Sequence, residues 1–208
     1  MQPRFCYNKR AQETLAAFVN GGRFPHALLL EGPEGSGRRT FAREIAAALF
    51  CRGEHKPCGS CNQCRKVLER NHPDVEYYGG DGSRRSFHID TIRQLRQNAW
   101  LLPGEAPCRV CVLCGAENMT DQAQNALLKI LEEPPEHTVF ILTAENRAML
   151  LPTILSRVQT IRLEPLTPAE ILPVLRERCP DQPGEKLECA PMPDQWYPLF
   201  LPPIPVSR

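Results

Sequence analysis

The sequence predicts an α/β protein whose parallel sheet of five strands is covered by helices on both faces. Two observations predict it. Five short apolar runs alternate along the chain with longer segments of helical periodicity, the pattern of strands joined by helical crossovers. The first run, Ala27-Leu28-Leu29-Leu30, leads into Gly32-Pro33-Glu34-Gly35-Ser36-Gly37-Arg38-Arg39-Thr40 and then into a helical segment. Strand, glycine-rich loop and helix in that order are the setting of a phosphate-binding P-loop.

Taken in order, Lys9 to Asn20 reads as a helix with Leu15, Phe18 and Val19 on one side, Asn8 as a cap and Gly21-Gly22 as its stop. His26 to Glu31 is the first strand. Gly32, Gly35 and Gly37 let the loop backbone turn its N–H groups toward an anion at the positive end of the next helix. That helix, Phe41 to Phe50, puts Phe41, Ile45, Ala48 and Leu49 on one face. A working loop places Lys after the last glycine, then Ser or Thr. Here Arg38 and Arg39 hold those positions. Arginine keeps the charge in a larger planar fork, and Arg39 removes the hydroxyl that would ligate magnesium. Thr40 lies about 100° further around the helix and does not replace it.

The helix runs into Cys51-x6-Cys58-x2-Cys61-x2-Cys64. Four thiolates at this spacing close a tetrahedral structural zinc site with no open position; an iron–sulfur cluster accepts four cysteines as well. His55, inside the ligand loop, reads as a solvated histidine. Arg65 to Arg70 is a short basic helix, Asp74 to Tyr78 the second strand and Gly79 to Ser86 a loop. Ile89 to Trp100 follows as a helix with Ile89, Ile92, Ala99 and Trp100 as its apolar set. Arg84, Arg85, Arg93 and Arg96 add local positive charge.

Arg109 to Cys114 is the third strand. In a hydrolysing P-loop protein this strand ends in adjacent acids, one assisting magnesium and one polarising the attacking water. Here Cys114-Gly115 stand there, and Glu117 lies beyond both positions. Cys108, Cys111 and Cys114 alternate faces of a strand and read as buried thiols. Thr120 caps the helix that runs to Glu133, with Ala123, Ala126, Leu127, Ile130 and Leu131 on one face and Pro134-Pro135 ending it. Thr138 to Thr143 is the fourth strand, Met149 to Leu155 a short helix or turn, and Val158 to Leu163 the fifth strand. Thr167-Pro168-Ala169-Glu170 is a capping box opening a helix to Arg178. Eight of the chain's 21 prolines fall between Pro180 and Arg208, without period, and that stretch reads as irregular or disordered.

Net charge is +1 over 208 residues, so no global basic field advertises nucleic acid. No apolar run is long enough to cross a membrane and the first ten residues lack a signal-peptide core, which reads as soluble and cytoplasmic. Ten cysteines, clustered, fit metal binding in that compartment better than disulfides.

Together these pieces resemble the bacterial clamp-loader subunits of the AAA+ class. The resemblance rests on His26 to Gly32 leading into the loop, the four-cysteine insert, Asn125-Ala126-Leu127-Leu128-Lys129-Ile130-Leu131-Glu132-Glu133-Pro134-Pro135, and Thr153-Ile154-Leu155-Ser156-Arg157. It covers about residues 8 to 178. With Arg38-Arg39 and Cys114-Gly115 where the gamma/tau motor carries its catalytic set, the chain is similar to the delta-prime branch, which keeps the fold and often loses the chemistry. Val158 departs from the family's Ser-Arg-Cys at a packing position. The residue that senses the gamma-phosphate in active members should fall between Thr143 and Asn146.

The resemblance implies an AAA+ nucleotide-binding-like domain over 1–166 with its zinc insert at 51–64, the start of a helical lid over 167–182, and an irregular tail over 183–208. A complete lid and the C-terminal collar of the family have no counterpart here. It further implies a subunit of the DNA polymerase III holoenzyme, in a hetero-oligomeric ring with gamma/tau and delta, reaching the sliding clamp and primer–template DNA through that complex. Arg157, preceded by Ser156, matches the arginine finger that acts on a neighbour's ATP. No ATPase or polymerase activity is expected of the isolated chain, and ATP binding is doubtful. Two other functions compete: an ATP-hydrolysing gamma/tau-like motor using Arg38 for lysine, and a zinc-dependent nucleic-acid-binding module on a vestigial ATPase fold.

Overall fold

The computed structural model describes residues 8–79 and 87–165. In chain order the elements are α1 (Lys9–Asn20), β1 (Ala27–Glu31), α2 (Arg38–Phe50), α3 (Asn62–Leu68), β2 (Val75–Tyr78), α4 (Ile89–Ala99), β3 (Arg109–Cys114), α5 (Asp121–Glu132), β4 (Thr138–Ala144), α6 (Pro152–Leu155) and β5 (Gln159–Arg162). The five strands form one sheet in the order β2-β3-β4-β1-β5, and every pairing is parallel.

Alternation along the strands sorts side chains into two apolar layers. Leu28 and Leu30 of β1, Val110 and Val112 of β3 and Ile141 of β4 meet Ala11 and Leu15 of α1, Phe41 and Ile45 of α2, and Val67 of α3. Ala27, Leu29, Cys111, Leu113, Phe140 and Leu142 point the other way, against Ile92 and Leu95 of α4, Leu127 and Leu131 of α5 and Ile154 of α6. Leu28, Leu29 and Leu30 are wholly buried. Each contributes about 1.5–3 kcal/mol of burial, which is why β1 reads as a continuous apolar run rather than an alternating one.

Several local expectations change. Asn8 does not cap α1 with its side chain, because its backbone is left-handed (φ 57°, ψ 59°). Instead its amide pairs with the backbone of Glu164, Nδ2 donating to the carbonyl at 3.1 Å and Oδ1 accepting from the N–H at 2.6 Å. The second helix begins at Arg38 rather than Phe41, so Arg38 and Arg39 form its first turn. Trp100 lies one residue past α4 and is 64% exposed, while Leu95 takes the buried place on that face. Thr120 does cap α5, its Oγ1 accepting from the Ala123 N–H at 3.2 Å. Arg84 and Arg85, the helix expected from Pro168 to Arg178 and the tail after it lie outside the described residues.

Candidate functional site

Parallel strands bring their carboxyl ends to one edge, and the glycine loop sits there between β1 and α2. Gly35 and Gly37 both have φ 80°, the left-handed region that glycine occupies at little cost. Gly32 needs glycine for another reason: a Cβ there would stand 2.6 Å from the Leu163 carbonyl oxygen and 2.6 Å from Ser36 Oγ. Its N–H donates to the Ala144 carbonyl at 3.1 Å. The loop is thus pinned between the ends of β4 and β5. Ser36 is buried, and its Oγ and Arg38 Nη1 are buried without a hydrogen-bond partner.

Arg38 does not stand open for an anion. Its Nη2 donates to Glu145 Oε1 at 3.2 Å, just beyond β4, with the arginine side chain only 12% exposed. At the end of β3, the Gly115 N–H donates to Thr143 Oγ1 at 3.0 Å, and no carboxylate occupies Cys114 or Gly115. Of the interval Thr143 to Asn146, Thr143 therefore holds β3 and Glu145 holds Arg38. Asn146 caps a 3₁₀ turn through the Ala148 N–H at 2.9 Å. These residues do not fit a magnesium nucleotide. No hydroxyl follows the glycines at position 39, no acid ends β3, and Glu145 pairs with Arg38, the residue in the place of the lysine. Sequence reasoning missed Glu145, and only its place in that short interval pointed to it.

The second constellation is the insert between α2 and α3. The Sγ atoms of Cys51, Cys58, Cys61 and Cys64 all lie within 4.8 Å of one another. Tetrahedral zinc with bonds of about 2.3 Å sets sulfurs roughly 3.8 Å apart, and Cys58 and Cys64 already stand at 4.0 Å. Backbone N–H groups converge on the sulfurs as a thiolate site requires: Gly53 and Cys58 donate to Cys51 Sγ, each at 3.4 Å, Cys61 to Cys58 Sγ at 3.3 Å, and Cys64 to Cys61 Sγ at 3.4 Å. The Cys61 N–H, with help from the Ser60 hydroxyl, lowers the Cys58 thiol to about 6. Burial pushes Cys64 up, which a bound dication would reverse. The donor set fits a metal, and His55 stays exposed outside it. Cys111 packs on one face of the sheet and Cys108 and Cys114 on the other, so they form no second cluster.

The third constellation occupies the opposite edge. Arg157 lies between α6 and β5, where β1 begins, beside a cavity of about 540 Å³ lined among others by His26, Glu132, Ser156 and Gln159. Its Nη1 donates to the Thr153 carbonyl at 2.8 Å and to Ser156 Oγ at 3.1 Å, and its Nη2 pairs with Glu132 Oε1 at 2.9 Å. The structure thus brings Gly32, Gly35, Gly37, Arg38 and Arg39 together at one sheet edge, with Cys114 and Gly115 on the neighbouring strands' side of it, and sets Ser156 and Arg157 at the other.

The five-stranded parallel sheet, the glycine loop after β1 and the helices on both faces define a P-loop α/β protein of the AAA+ type. Comparison then gives the family: residues 7–167 match the model described as DNA polymerase III, delta subunit, and the chain belongs to that family. It is 35% identical over 164 residues to DNA polymerase III subunit delta' of Bacillus subtilis, covering 78% of this chain and 49% of that protein. It is 33% identical over 189 residues to subunit gamma/tau of Mycobacterium bovis, covering 90% of this chain and 32% of that one. The chain therefore spans about half or less of the length of these curated relatives. Among solved structures, a DNA polymerase III, gamma subunit-related protein of Thermotoga maritima superposes with a TM-score of 0.55 at 26% identity, over 81% of this chain and 50% of the other. The RuvB Holliday junction branch migration motor of the same organism does so with a TM-score of 0.56 at 15% identity, over 85% of this chain and 51% of that one, a likeness of fold alone.

Proposed function

We propose that the chain is the AAA+ part of a non-hydrolysing, delta-prime-like clamp-loader subunit, which helps place the sliding clamp on primed DNA during replication and supplies Arg157 to a neighbouring subunit's ATP site. One observation carries this reading. Arg157 and the chain's own phosphate loop sit at opposite ends of β1. Five residues of strand separate them by about 17 Å, farther than an arginine side chain extends. Arg157 therefore does not reach a nucleotide held on its own loop, which supports a role toward another chain's site. The loop, meanwhile, holds an Arg38–Glu145 pair where hydrolysis needs a free cation. The relatives' names, subunits of DNA polymerase III, support the same assignment.

On this reading residues 1–166 are the nucleotide-binding-like domain, 167–182 open the lid, and the four-cysteine insert holds structural zinc. Partners are gamma/tau and delta in a ring, with clamp and primer–template DNA reached through it. The protein acts in the cytoplasm, and no helix among the described residues is long and apolar enough to cross a membrane. The gamma/tau-like motor reading finds no support in the site, because Arg39 and Gly115 leave magnesium and water without their ligands.

The test uses the full-length subunit in a reconstituted loader. Arg157→Ala should cut hydrolysis at the bordering site by about 10³-fold or more, with a far smaller effect on ATP binding, since a finger acts on charge that develops in the transition state. Arg157→Lys should rescue poorly, having lost the planar fork. If wild type, Ala and Lys forms hydrolyse ATP and load clamps alike, Arg157 is no finger.

A further inference from the structure

We propose that Glu132 is the resting counter-ion of Arg157, a positioning residue that holds the guanidinium against its own chain and sets how readily a neighbour's phosphate takes it over. The inference rests on the in-trans reading of Arg157. It begins from the placement of Glu132, the last residue of α5. A helix carboxyl end carries partial negative charge from its unpaired carbonyls, so a carboxylate there is disfavoured unless a cation answers it. Lys129 is the only base in that last turn. Arg157, from the separate α6–β5 connection, supplies the answering charge at 2.9 Å.

The guanidinium is thereby engaged on three acceptors of its own chain: Glu132 Oε1, the Thr153 carbonyl and Ser156 Oγ. Thr153 and Ser156 are neutral and lie in the same turn as Arg157, so they aim the fork without competing for its charge. Glu132 is the acceptor that a phosphate must displace. The pair is built for exchange. The side chains are 34% and 49% exposed, so water screens their attraction. The adjoining cavity of about 540 Å³ leaves room for an anion to approach from outside the chain. Phosphate oxygens offer the fork a bidentate, more highly charged partner than one carboxylate oxygen. Once Arg157 has moved across, Glu132 is left uncompensated at the helix end, which opposes engagement and sets its threshold.

Glu132→Gln keeps the shape and an acceptor oxygen while removing the charge. In the full-length isolated subunit, modification of Arg157 by phenylglyoxal, followed by peptide mass spectrometry, should run about 1.5- to 5-fold faster in Glu132→Gln, the span that surface ion pairs carry. Arg93, exposed and paired with Asp90 at 2.8 Å on α4, is the internal control and should react at one rate in both proteins. Equal rates at Arg157 overturn the latch. In the reconstituted loader the hydrolysis rate of the bordering site at saturating ATP should rise by a similar factor, because the finger is engaged in the transition state. Faster modification with an unchanged hydrolysis rate overturns the handover. Failure of the finger reading looks different: Arg157→Ala would hydrolyse like wild type whatever Glu132→Gln does to the modification rate.

Discussion

Arg38 donates to Glu145 across the mouth of the glycine loop, at 3.2 Å, joining the first turn of α2 to the end of β4. A lysine in that place would reach a nucleotide phosphate; the arginine instead reaches a carboxylate of its own chain. The isolated full-length subunit should therefore show no magnesium-dependent ATP turnover above background. Glu145→Gln frees the arginine of its counter-charge but restores neither the hydroxyl lost at Arg39 nor an acid at Gly115, so it should remain inactive too. A coupled ATPase assay checks both. Turnover that disappears in Arg38→Ala would return the motor reading.

Zinc should bind with one ion per chain, and elemental analysis of unchelated protein measures it. Replacing Cys51, Cys58, Cys61 or Cys64 by Ser should lower metal content and thermal stability, Cys64→Ser most of all. Its sulfur is wholly buried, packed against α2 with the Ala47 carbonyl oxygen 3.7 Å away. Metal and protons compete for the thiolates, so affinity falls as pH falls. Protein without stoichiometric metal, and unaffected by a strong chelator, would refute the site.

Gly32→Ala should destabilise the domain by about 1–3 kcal/mol in denaturant unfolding. The added Cβ meets the Leu163 carbonyl at 2.6 Å, and a backbone oxygen fixed by the Leu163 N–H donating to Glu31 at 2.7 Å has little room to yield. An unchanged midpoint would mean the loop is less tightly pinned to β5 than these distances indicate.

Elements set by local pattern were legible: α1 and β3 have the bounds that periodicity and alternation indicate, and the four cysteines assemble as their spacing implies. Ile92 and Ala99 on the buried face of α4 were legible as well, yet Leu95 was missed, and extending the helical period to Trp100 chose a residue already past the helix end. Long-range polar pairing was not legible. Asn8 looks like a cap from its neighbours, but its partner is Glu164, 156 residues away. Glu145 carries no local mark of being opposite Arg38. Nothing in the sequence around Asp74 announces that its acceptors are used by a loop some thirty residues on. Apolar periodicity is a property of one segment; a hydrogen-bond partner is a property of the whole fold.

Asp74 gives the prediction with a definite pH signature. It is buried just before β2, and its carboxylate accepts from the N–H groups of Gly104 at 2.7 Å, Glu105 at 2.8 Å and Ala106 at 2.9 Å, stapling the approach to β3. Arg109 Nη1 stands 3.9 Å away. Burial by itself would raise this carboxyl, but the three N–H groups outweigh it and hold it below the usual range. Asp74→Asn keeps one acceptor oxygen and loses the other, orphaning buried N–H groups, and should cost about 2–4 kcal/mol. A carboxyl depressed by folding stabilises above its unfolded pKa, near 3.9, and that contribution is lost as pH falls through the folded value. The stability gap between wild type and Asp74→Asn should not shrink between neutrality and about pH 4, and should narrow below it. His72 contributes a separate, earlier loss. Burial lowers it, and its neutral Nδ1 accepts from the Asp74 N–H at 3.0 Å, so stability should begin to fall below about 6.5 in both proteins, and more in Asp74→Asn, which lacks the negative charge that favours protonated His72. Urea unfolding of the two proteins across pH measures the difference directly. A gap that closes between pH 7 and 5 would assign the effect to His72, and a gap near zero at neutrality would remove Asp74 from any part in holding β3.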